Sequence, residues 1–289
     1  MISPFLKQVE GKIVDWATHQ PAIRAAIIAG STQREVIPAD EWSDLDLEFF
    51  VTDFDEFSLN LDWIGGFAPV WTYLQIDEPE GPVFLVIYEG GEKVDFHFFQ
   101  VNELERLVNA QELSGSQQRG YRIVMDKDGL AQKLPPPLKT PPSVRKPNKD
   151  TFDFEVRTFW YGALYVSKQI RRRNLWVVKF RDWTMKETLL KIMEWYAQVT
   201  HNWEIDTWFG GHHIQAWVDD KTMHELHNVF GHFDSDDSWQ ALFATMNLYR
   251  RLATHVANDL GFNYPAELDQ KVTHRIEEIQ RIVHSIIRE

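Results

Sequence analysis

Three aspartates with spacing suited to metal chemistry lie in the first third of the chain. Asp44 and Asp46 belong to the segment SDLDLEFFV, and Asp95 belongs to GEKVDFHFFQV. Side chains alternate between the two faces of a β-strand, so Asp44 and Asp46 share one face and the apolar residues around them take the other. Carboxylates in such a pair bind hard cations such as Mg²⁺, which often takes one or two carboxylates plus substrate phosphates. The pattern predicts a magnesium site used in phosphoryl transfer.

Asp95 is the candidate for a third acid, because two-metal phosphoryl-transfer sites hold their ions about 3.5–4 Å apart between carboxylates. It stands between Val94 and Phe96 in an apolar, strand-like segment. A charged side chain in such a segment is costly unless it is paired or bound to a metal. A lone aspartate there is usually a salt-bridge partner, so both interpretations stay open.

Gly30 and Ser31 follow an apolar segment and precede the aspartate pair. Glycine allows the backbone to come close to a ligand, and the hydroxyl of Ser31 with nearby amides can bind a phosphate oxygen. The segment is not a P-loop, since the Gly-Lys-Ser/Thr ending is missing. Taken singly, Asp-x-Asp is usually a turn or a solvated strand edge, and Gly-Ser is a common turn. Their order along the chain is the more specific signal.

That order is a strand, Gly-Ser, a loop, Asp-x-Asp opening a strand, and one aspartate on a later strand. It is the signature of the DNA polymerase β-like nucleotidyltransferases. Further segments can be compared in order: AGSTQREVIPADEWSDLDLEFFV, LDWIGGFAPVWTYLQIDEPEG, EGGEKVDFHFF, FWYGALYVSKQIRRRNLW and TMKETLLKIMEWY. Through them the sequence resembles, over nearly its whole length, the aminoglycoside 6-adenylyltransferase (streptomycin adenylyltransferase) family. Thr32 replaces the family's usual Arg after Gly-Ser, with Arg34 two positions on, and Lys93 replaces its Arg before the third acid.

The resemblance implies a fold and a reaction. The fold would be α+β, with an N-terminal nucleotidyltransferase mixed sheet and flanking helices, followed by a C-terminal helical bundle. Asp44 and Asp46 would hold Mg²⁺ against the triphosphate of ATP as co-substrate. Asp95 would complete the metal site or accept the proton of the substrate hydroxyl. That hydroxyl, on an aminoglycoside such as streptomycin, would attack the α-phosphate and release pyrophosphate.

Four residues are expected to bind the nucleotide: Gly30, Ser31, Arg34 and Lys168. Lys168 follows an apolar helix face and could reach the triphosphate from the second domain. The alternative is an ordinary solvated helix end, where cations favour the helix dipole.

The positioning elements follow from hydrophobic periodicity. Residues 1–134 are predicted to form an α+β domain, which the resemblance implies is the nucleotidyltransferase domain. The proline-rich residues 135–150 are predicted to form a linker, because proline-rich segments act as semi-rigid spacers. Residues 151–289 show helical periodicity and are predicted to form a helical domain, which the resemblance implies binds the substrate. Within it, Thr184 and Glu187 have the spacing of a capping box and predict the start of a helix.

Composition limits the partners. The chain has 43 acidic and 30 Lys plus Arg residues, a formal net charge of −13 at pH 7, and no cysteine. Disulfides and cysteine nucleophiles are excluded. The acidity makes nucleic acid an unlikely partner, since nucleic-acid binders carry a basic footprint. It suits a cationic small molecule, because a negative cleft attracts cations. Glu155 and Glu225 are candidates for contacting such a substrate.

Apolar runs of the length that spans a membrane, about 18 residues or more, do not occur in the sequence. The first residues lack the charged start and apolar middle of a signal peptide. A cytoplasmic location and no membrane partner are therefore expected.

Two other functions stay open at this point. One is the same chemistry on a different small molecule, a protein or an RNA end. The other is a non-catalytic relative that binds nucleotide. The presence of all three acids weighs against the second, and the acidic charge weighs against RNA. The sequence does not give the oligomeric state.

Overall fold

The computed structural model describes residues 3–34, 38–138 and 145–286. Part of the predicted linker, residues 139–144, lies outside the described residues. The chain divides into two compact units, Met1–Pro142 and Ser143–Glu289. The division falls within the segment 135–150.

The first unit is built on a six-stranded mixed sheet with the strand order β3-β4-β5-β2-β1-β6. Strands β2 and β5 pair in parallel, whereas the other neighbouring strands pair antiparallel. Its helices and strands, in chain order, are α1 (Pro4–His19), β1 (Ile23–Ala29), β2 (Leu45–Val51), α2 (Asp55–Ser58), β3 (Val70–Glu78), β4 (Gly81–Tyr88), β5 (Lys93–Gln100), α3 (Val101–Ala110) and β6 (Arg122–Asp126).

One face of this sheet is sealed by an aromatic and aliphatic core. The odd-numbered residues of β2, including Leu45, Leu47 and Phe49, are fully buried there, as strand alternation predicts. Helix α1 packs on the same core through its buried Leu6, Val9, Ile13 and Ala17. Its start is fixed because Ser3 accepts a hydrogen bond from the Leu6 amide and proline occupies the first helical position.

The other face of the sheet is covered only in part. Helix α3 buries Leu104 and Leu107 against Ala25, Ile27 and Phe50. The even-numbered residues at the start of β2 lie on this second face. The fold therefore separates an apolar face from one that can carry polar side chains.

The second unit is a helical bundle in which α4 packs against α5, α8 and α9. Its core includes the stacked rings of Phe159 and Tyr249, whose centroids are 3.6 Å apart. Arg250 forms two hydrogen bonds with the buried Asp269. The helices are α4 (Lys149–Arg171), α5 (Leu175–Thr200), α6 (Ile214–Trp217), α7 (Asp220–Leu226), α8 (Ser235–Leu260) and α9 (Ala266–Ile286).

The predicted helix start at Thr184 is wrong. Helix α5 begins at Leu175 and continues through Thr184 without a break. The boundary lies earlier because Arg173 adopts a left-handed conformation, φ 59°, which ends α4, and Asn174 then precedes α5. Capping-box spacing also occurs by chance within helices, where neighbouring turns already satisfy the amides. In the described part of the chain, no helix is long and apolar enough to cross a membrane.

Candidate active site

The parallel pairing of β2 and β5 places two of the predicted acids side by side. Asp46 and Asp95 are direct partners in the strand register. Asp44 immediately precedes β2, one residue outside the strand. All three acids therefore lie at the same end of two neighbouring strands, although 49 residues separate Asp46 from Asp95 in the sequence.

Lys93 links two of these acids. Its Nζ atom lies 2.9 Å from Asp44 Oδ2 and 2.7 Å from Asp95 Oδ2. Burial alone would lower the pKa of Lys93, but the hydrogen bonds to Asp95 and Asp44 outweigh it and the pKa is raised. The two carboxylates thus already hold a positive charge between them.

Asp95 keeps an unused oxygen in this arrangement. The residue is only 8% exposed. Its Oδ2 atom accepts from Lys93, whereas its Oδ1 atom is buried and has no hydrogen-bond partner among the described residues. A buried carboxylate oxygen without a donor is unfavourable, so this atom is suited to a ligand that arrives from outside.

Asp46 is electrostatically strained. Burial, followed by the neighbouring charge of Asp95, raises its pKa to about 6, and the cations of Lys93 and Arg34 only partly offset this. A cation bound at this point would relieve the repulsion between the two carboxylates.

The donor set therefore fits Mg²⁺, which prefers carboxylate oxygens. Within residues 3–34, 38–138 and 145–286, no group of three or more acidic or histidine side chains stands ready-made around a metal position. The ammonium of Lys93 binds one oxygen each of Asp44 and Asp95. Asp46, Asp44 and the free Oδ1 of Asp95 are the groups that would hold a metal.

Gly30 begins a short 3-10 turn, Gly30–Gln33, directly after β1. Its φ is +71°, and a β-carbon at this position would lie 2.0 Å from Asp46 Oδ2. Only glycine fits both the left-handed conformation and the close approach. The turn that carries Ser31 is thus pressed against the carboxylate of Asp46, and Arg34 at its end contributes positive charge to the same acid.

Glu48 also belongs to this polar face, and the sequence analysis missed it. It is 4% exposed, two residues beyond Asp46, and it pairs in register with His97. It accepts hydrogen bonds from Ser116 Oγ at 2.5 Å and from Gln117 Nε2 at 2.6 Å. The alternation that placed Asp44 and Asp46 on one face also places Glu48 there, so the signal was present.

Lys168 lies in the second unit, on the last turn of α4, with an exposed side chain. It lines a depression of about 190 Å³ together with Arg171, Arg172 and Arg275. This surface is basic within an acidic chain. This basic surface belongs to the second unit, whereas the three acids belong to the sheet of the first unit.

The two acids suggested for substrate contact differ. Glu225 is held by Arg251, whose Nη2 atom lies 2.5 Å from Glu225 Oε2. Glu155 is half-buried, and burial raises its pKa despite the nearby cation of Lys191. Of the two, Glu225 is already neutralised within the bundle.

Known proteins match this chain over almost its full length. The family model "Streptomycin adenylyltransferase" matches residues 6–279. Aminoglycoside 6-adenylyltransferases from Bacillus subtilis and Campylobacter jejuni are each 22% identical to this chain. The first aligns over 278 residues, 92% of this chain and 94% of the relative, and the second over 281 residues, 93% and 94%.

Among solved structures, the aminoglycoside 6-adenyltransferase from Bacillus subtilis matches with a TM-score of 0.47 and 19% identity, covering 94% of this chain and 97% of that one. Since the family model spans nearly all of the sequence, the chain belongs to the streptomycin adenylyltransferase family and is an enzyme of the adenylyltransferase class.

Proposed function

We propose that this enzyme transfers AMP from ATP to a hydroxyl group of an aminoglycoside such as streptomycin, with Mg²⁺ as cofactor and pyrophosphate as the leaving product. The named activity of the relatives supports the acceptor class. The observation that carries the chemistry is the pairing of Asp46 with Asp95 beside the Gly30 turn.

Asp44, Asp46 and Asp95 would hold the metal ion. Bound Mg²⁺ supplies positive charge to the triphosphate and to the charge that develops as pyrophosphate leaves. A metal ion held by these acids would compete with Lys93 for Asp44 and Asp95. An ammonium released from them would be able to pair with a phosphate oxygen.

The Gly30–Gln33 turn would receive the phosphates. Gly30 of this turn lies against the Asp46 carboxylate, and the backbone amides of the turn and the Ser31 hydroxyl are the groups that would donate to a phosphate oxygen. Arg34 extends this surface with a guanidinium that already acts on Asp46. Positioning of this kind is the main catalytic contribution in phosphoryl transfer.

Asp95 is proposed as the acid that assists the acceptor. In the reaction the acceptor oxygen forms a bond to the α-phosphorus, the bond between that phosphorus and the bridging oxygen breaks, and pyrophosphate departs. The acceptor hydroxyl proton must leave as its bond forms. The unpartnered Oδ1 of Asp95 would either accept that proton or help to hold the metal ion, whose charge would lower the pKa of the hydroxyl.

Lys168 is proposed as a second cation for the triphosphate, contributed by the helical unit. Its exposed ammonium and the adjoining Arg171 and Arg172 form a surface of the right sign for phosphate. The acceptor, being cationic, would bind elsewhere along acidic side chains, and Glu155 remains available for this role.

A substrate panel tests the proposal. Purified protein would be incubated with Mg²⁺-ATP and with each of several aminoglycosides, and pyrophosphate release would be recorded, followed by mass analysis of the acceptor. We expect a mass gain of one AMP on streptomycin or a related compound. Turnover with ATP and Mg²⁺ only on non-aminoglycoside acceptors would discard the antibiotic and keep the transferase chemistry.

Binding of the acceptor provides an independent test. Streptomycin would be titrated calorimetrically, with and without an ATP analogue, at two salt concentrations. Because exposed ion pairs are screened over a Debye length of about 8 Å at physiological ionic strength, affinity should fall as salt rises. Affinity that is unchanged by salt would contradict recognition through carboxylates.

A further inference from the structure

We propose that Glu48 is a positioning residue for the nucleotide. It anchors the segment 114–120, which packs against the Gln33 end of the Gly30–Gln33 turn and so sets the affinity for Mg²⁺-ATP. This inference rests on the proposed function of that turn. It concerns a buried carboxylate that does not belong to the proposed metal site.

The first link is between Glu48 and the segment. Both carboxylate oxygens of Glu48 are engaged, one by Ser116 Oγ at 2.5 Å and the other by Gln117 Nε2 at 2.6 Å. Gln117 is fully buried. A buried carboxylate that accepts two donors from one segment fixes that segment to its strand.

The second link lies within the segment. Gln117 donates to Glu48 through its amide nitrogen and accepts the Ser114 backbone N–H through Oε1, at 3.2 Å. The Gln118 amide bonds to the Ser114 carbonyl at 3.1 Å. The orientation of the Gln117 side chain is therefore fixed at both ends, and the fold of residues 114–118 depends on it.

The third link joins the segment to the turn. Gly120 has a φ of +144°, and a β-carbon there would lie 2.0 Å from the Gln33 carbonyl oxygen and 3.4 Å from the Arg34 amide nitrogen. The backbone of the segment therefore lies directly against the backbone at the end of the turn.

The turn is thus held from two sides, and both supports begin on β2. Asp46 contacts Gly30 at the start of the turn. Glu48 is connected to Gln33, at the end of the turn, through Ser116, Gln117 and Gly120. Because Asp46 and Glu48 are two residues apart on one strand, their positions together fix where the Gly30–Gln33 turn lies relative to the Asp46 carboxylate. Shifts of about 1 Å in such groups can change rates or affinities by about a hundredfold.

Variants at Glu48 separate anchoring from charge. Glu48→Gln keeps the shape, since its carbonyl oxygen can accept from Gln117 and its amide can donate to the Ser116 hydroxyl. Glu48→Ala removes both anchors. Gly120→Ala disturbs the contact of the segment with Gln33 and leaves Glu48 unchanged. Tyr88→Phe is the matched control, because it removes a buried hydrogen bond to the Ile64 carbonyl in the same unit.

Two measurements are made on each full-length variant. One is the dissociation constant for α,β-methylene-ATP with Mg²⁺, and the other is hydrogen exchange of the peptide that contains residues 30–34. We expect Glu48→Ala and Gly120→Ala to weaken nucleotide binding about tenfold or more and to speed exchange in that peptide. Glu48→Gln and Tyr88→Phe should stay near the wild-type values in both.

The outcomes are distinct. Unchanged hydrogen exchange in residues 30–34 of Glu48→Ala would overturn the proposal that Glu48 holds the turn, and this result does not depend on which ligand the enzyme binds. Equal loss of affinity in Glu48→Gln and Glu48→Ala would also overturn it, because anchoring would then not be the cause. If Glu48→Ala does not fold, Ser116→Ala, which removes one of the two anchors, replaces it with an intermediate effect expected. Wild-type protein that binds no Mg²⁺-nucleotide would instead overturn the proposed function.

Discussion

Gly30 and Asp46 meet so closely that a single methyl group cannot be placed between them. A β-carbon at position 30 would lie 2.0 Å from Asp46 Oδ2, and the positive φ of +71° adds strain for any other residue. The contact couples the first strand, the turn after it and the acid on the neighbouring strand. The conformation of the turn and the position of the Asp46 carboxylate therefore depend on each other.

Gly30→Ala should therefore abolish most of the activity. The left-handed conformation alone costs about 1–2 kcal/mol for an L-residue, and the clash must also move the turn or Asp46. Gly129→Ala is the control, because Gly129 has a similar φ of +65° but a β-carbon there meets no atom of the described residues within 4 Å. Turnover and thermal unfolding of both variants would be compared. Equal loss of turnover in the two would contradict a specific role for the Gly30–Asp46 contact.

Asp46→Asn should remove Mg²⁺-dependent turnover and stabilise the fold at pH 7. The raised pKa of about 6 means that the folded state holds the Asp46 proton more tightly than the unfolded state, where the ordinary value is 3.8. Stability from this group consequently falls as pH rises from about 4 to 6, and the whole penalty is present at pH 7. The neutral amide avoids it, for a gain on the order of 3 kcal/mol.

Thermal unfolding of wild type and Asp46→Asn at pH 4 and pH 7 checks this. The variant should unfold at a higher temperature at pH 7 and at nearly the same temperature as wild type at pH 4. A variant that is destabilised at pH 7 would show that Asp46 is supported by its surroundings and not strained.

Lys93→Met should make the protein respond more strongly to Mg²⁺ in the absence of nucleotide. Without the ammonium, Asp44 and Asp95 lose their shared partner, so the variant should be less stable than wild type in EDTA. Added Mg²⁺ then no longer competes with an ammonium for Asp44 and Asp95 and should raise the unfolding temperature more than in wild type, since a ligand that binds the folded state stabilises it.

Arg24→Met is the matched control for Lys93→Met. Arg24 lies near the start of β1 and pairs with Asp128, which follows the edge strand β6. This is the opposite end of β1 from Ala29, which pairs with Asp46. Its loss should lower stability without changing the response to Mg²⁺. If Mg²⁺ stabilises Lys93→Met no more than wild type, Lys93 does not occupy the position of the metal.

Strand alternation correctly predicted that Leu45, Leu47 and Phe49 lie in the core and that Asp44 and Asp46 lie on the other face. The family and the fold class came from the resemblance of the motifs, and both are confirmed. Strand alternation applied two residues further would have found Glu48. The roles of Asp44, Asp46, Asp95 and Lys168 stay predictions.

Other features had no local signal. The parallel register that sets Asp95 beside Asp46 joins segments 49 residues apart, and pairing at such separation depends on the whole sheet. The contact of Gly120 with Gln33 is of the same kind. The start of α5 was missed because a left-handed Arg173, unlike a glycine, gives no warning in the sequence.

The Mg²⁺ requirement of turnover should depend on pH through Asp46. With a pKa of about 6, Asp46 is largely ionised at pH 7.5 and increasingly protonated below pH 6 in the absence of metal. A protonated carboxyl group binds Mg²⁺ poorly, so the proton and the metal compete. The Mg²⁺ concentration for half-maximal rate should rise about tenfold per pH unit below that value.

At saturating Mg²⁺ the acidic limb of the rate profile should move to lower pH, because metal binding lowers the pKa of the acid. Rates measured from pH 5 to pH 8 at low and at saturating Mg²⁺, with ATP and acceptor in excess, provide the test. An acidic limb that stays in place at both concentrations would show that the group titrating there is not a metal ligand.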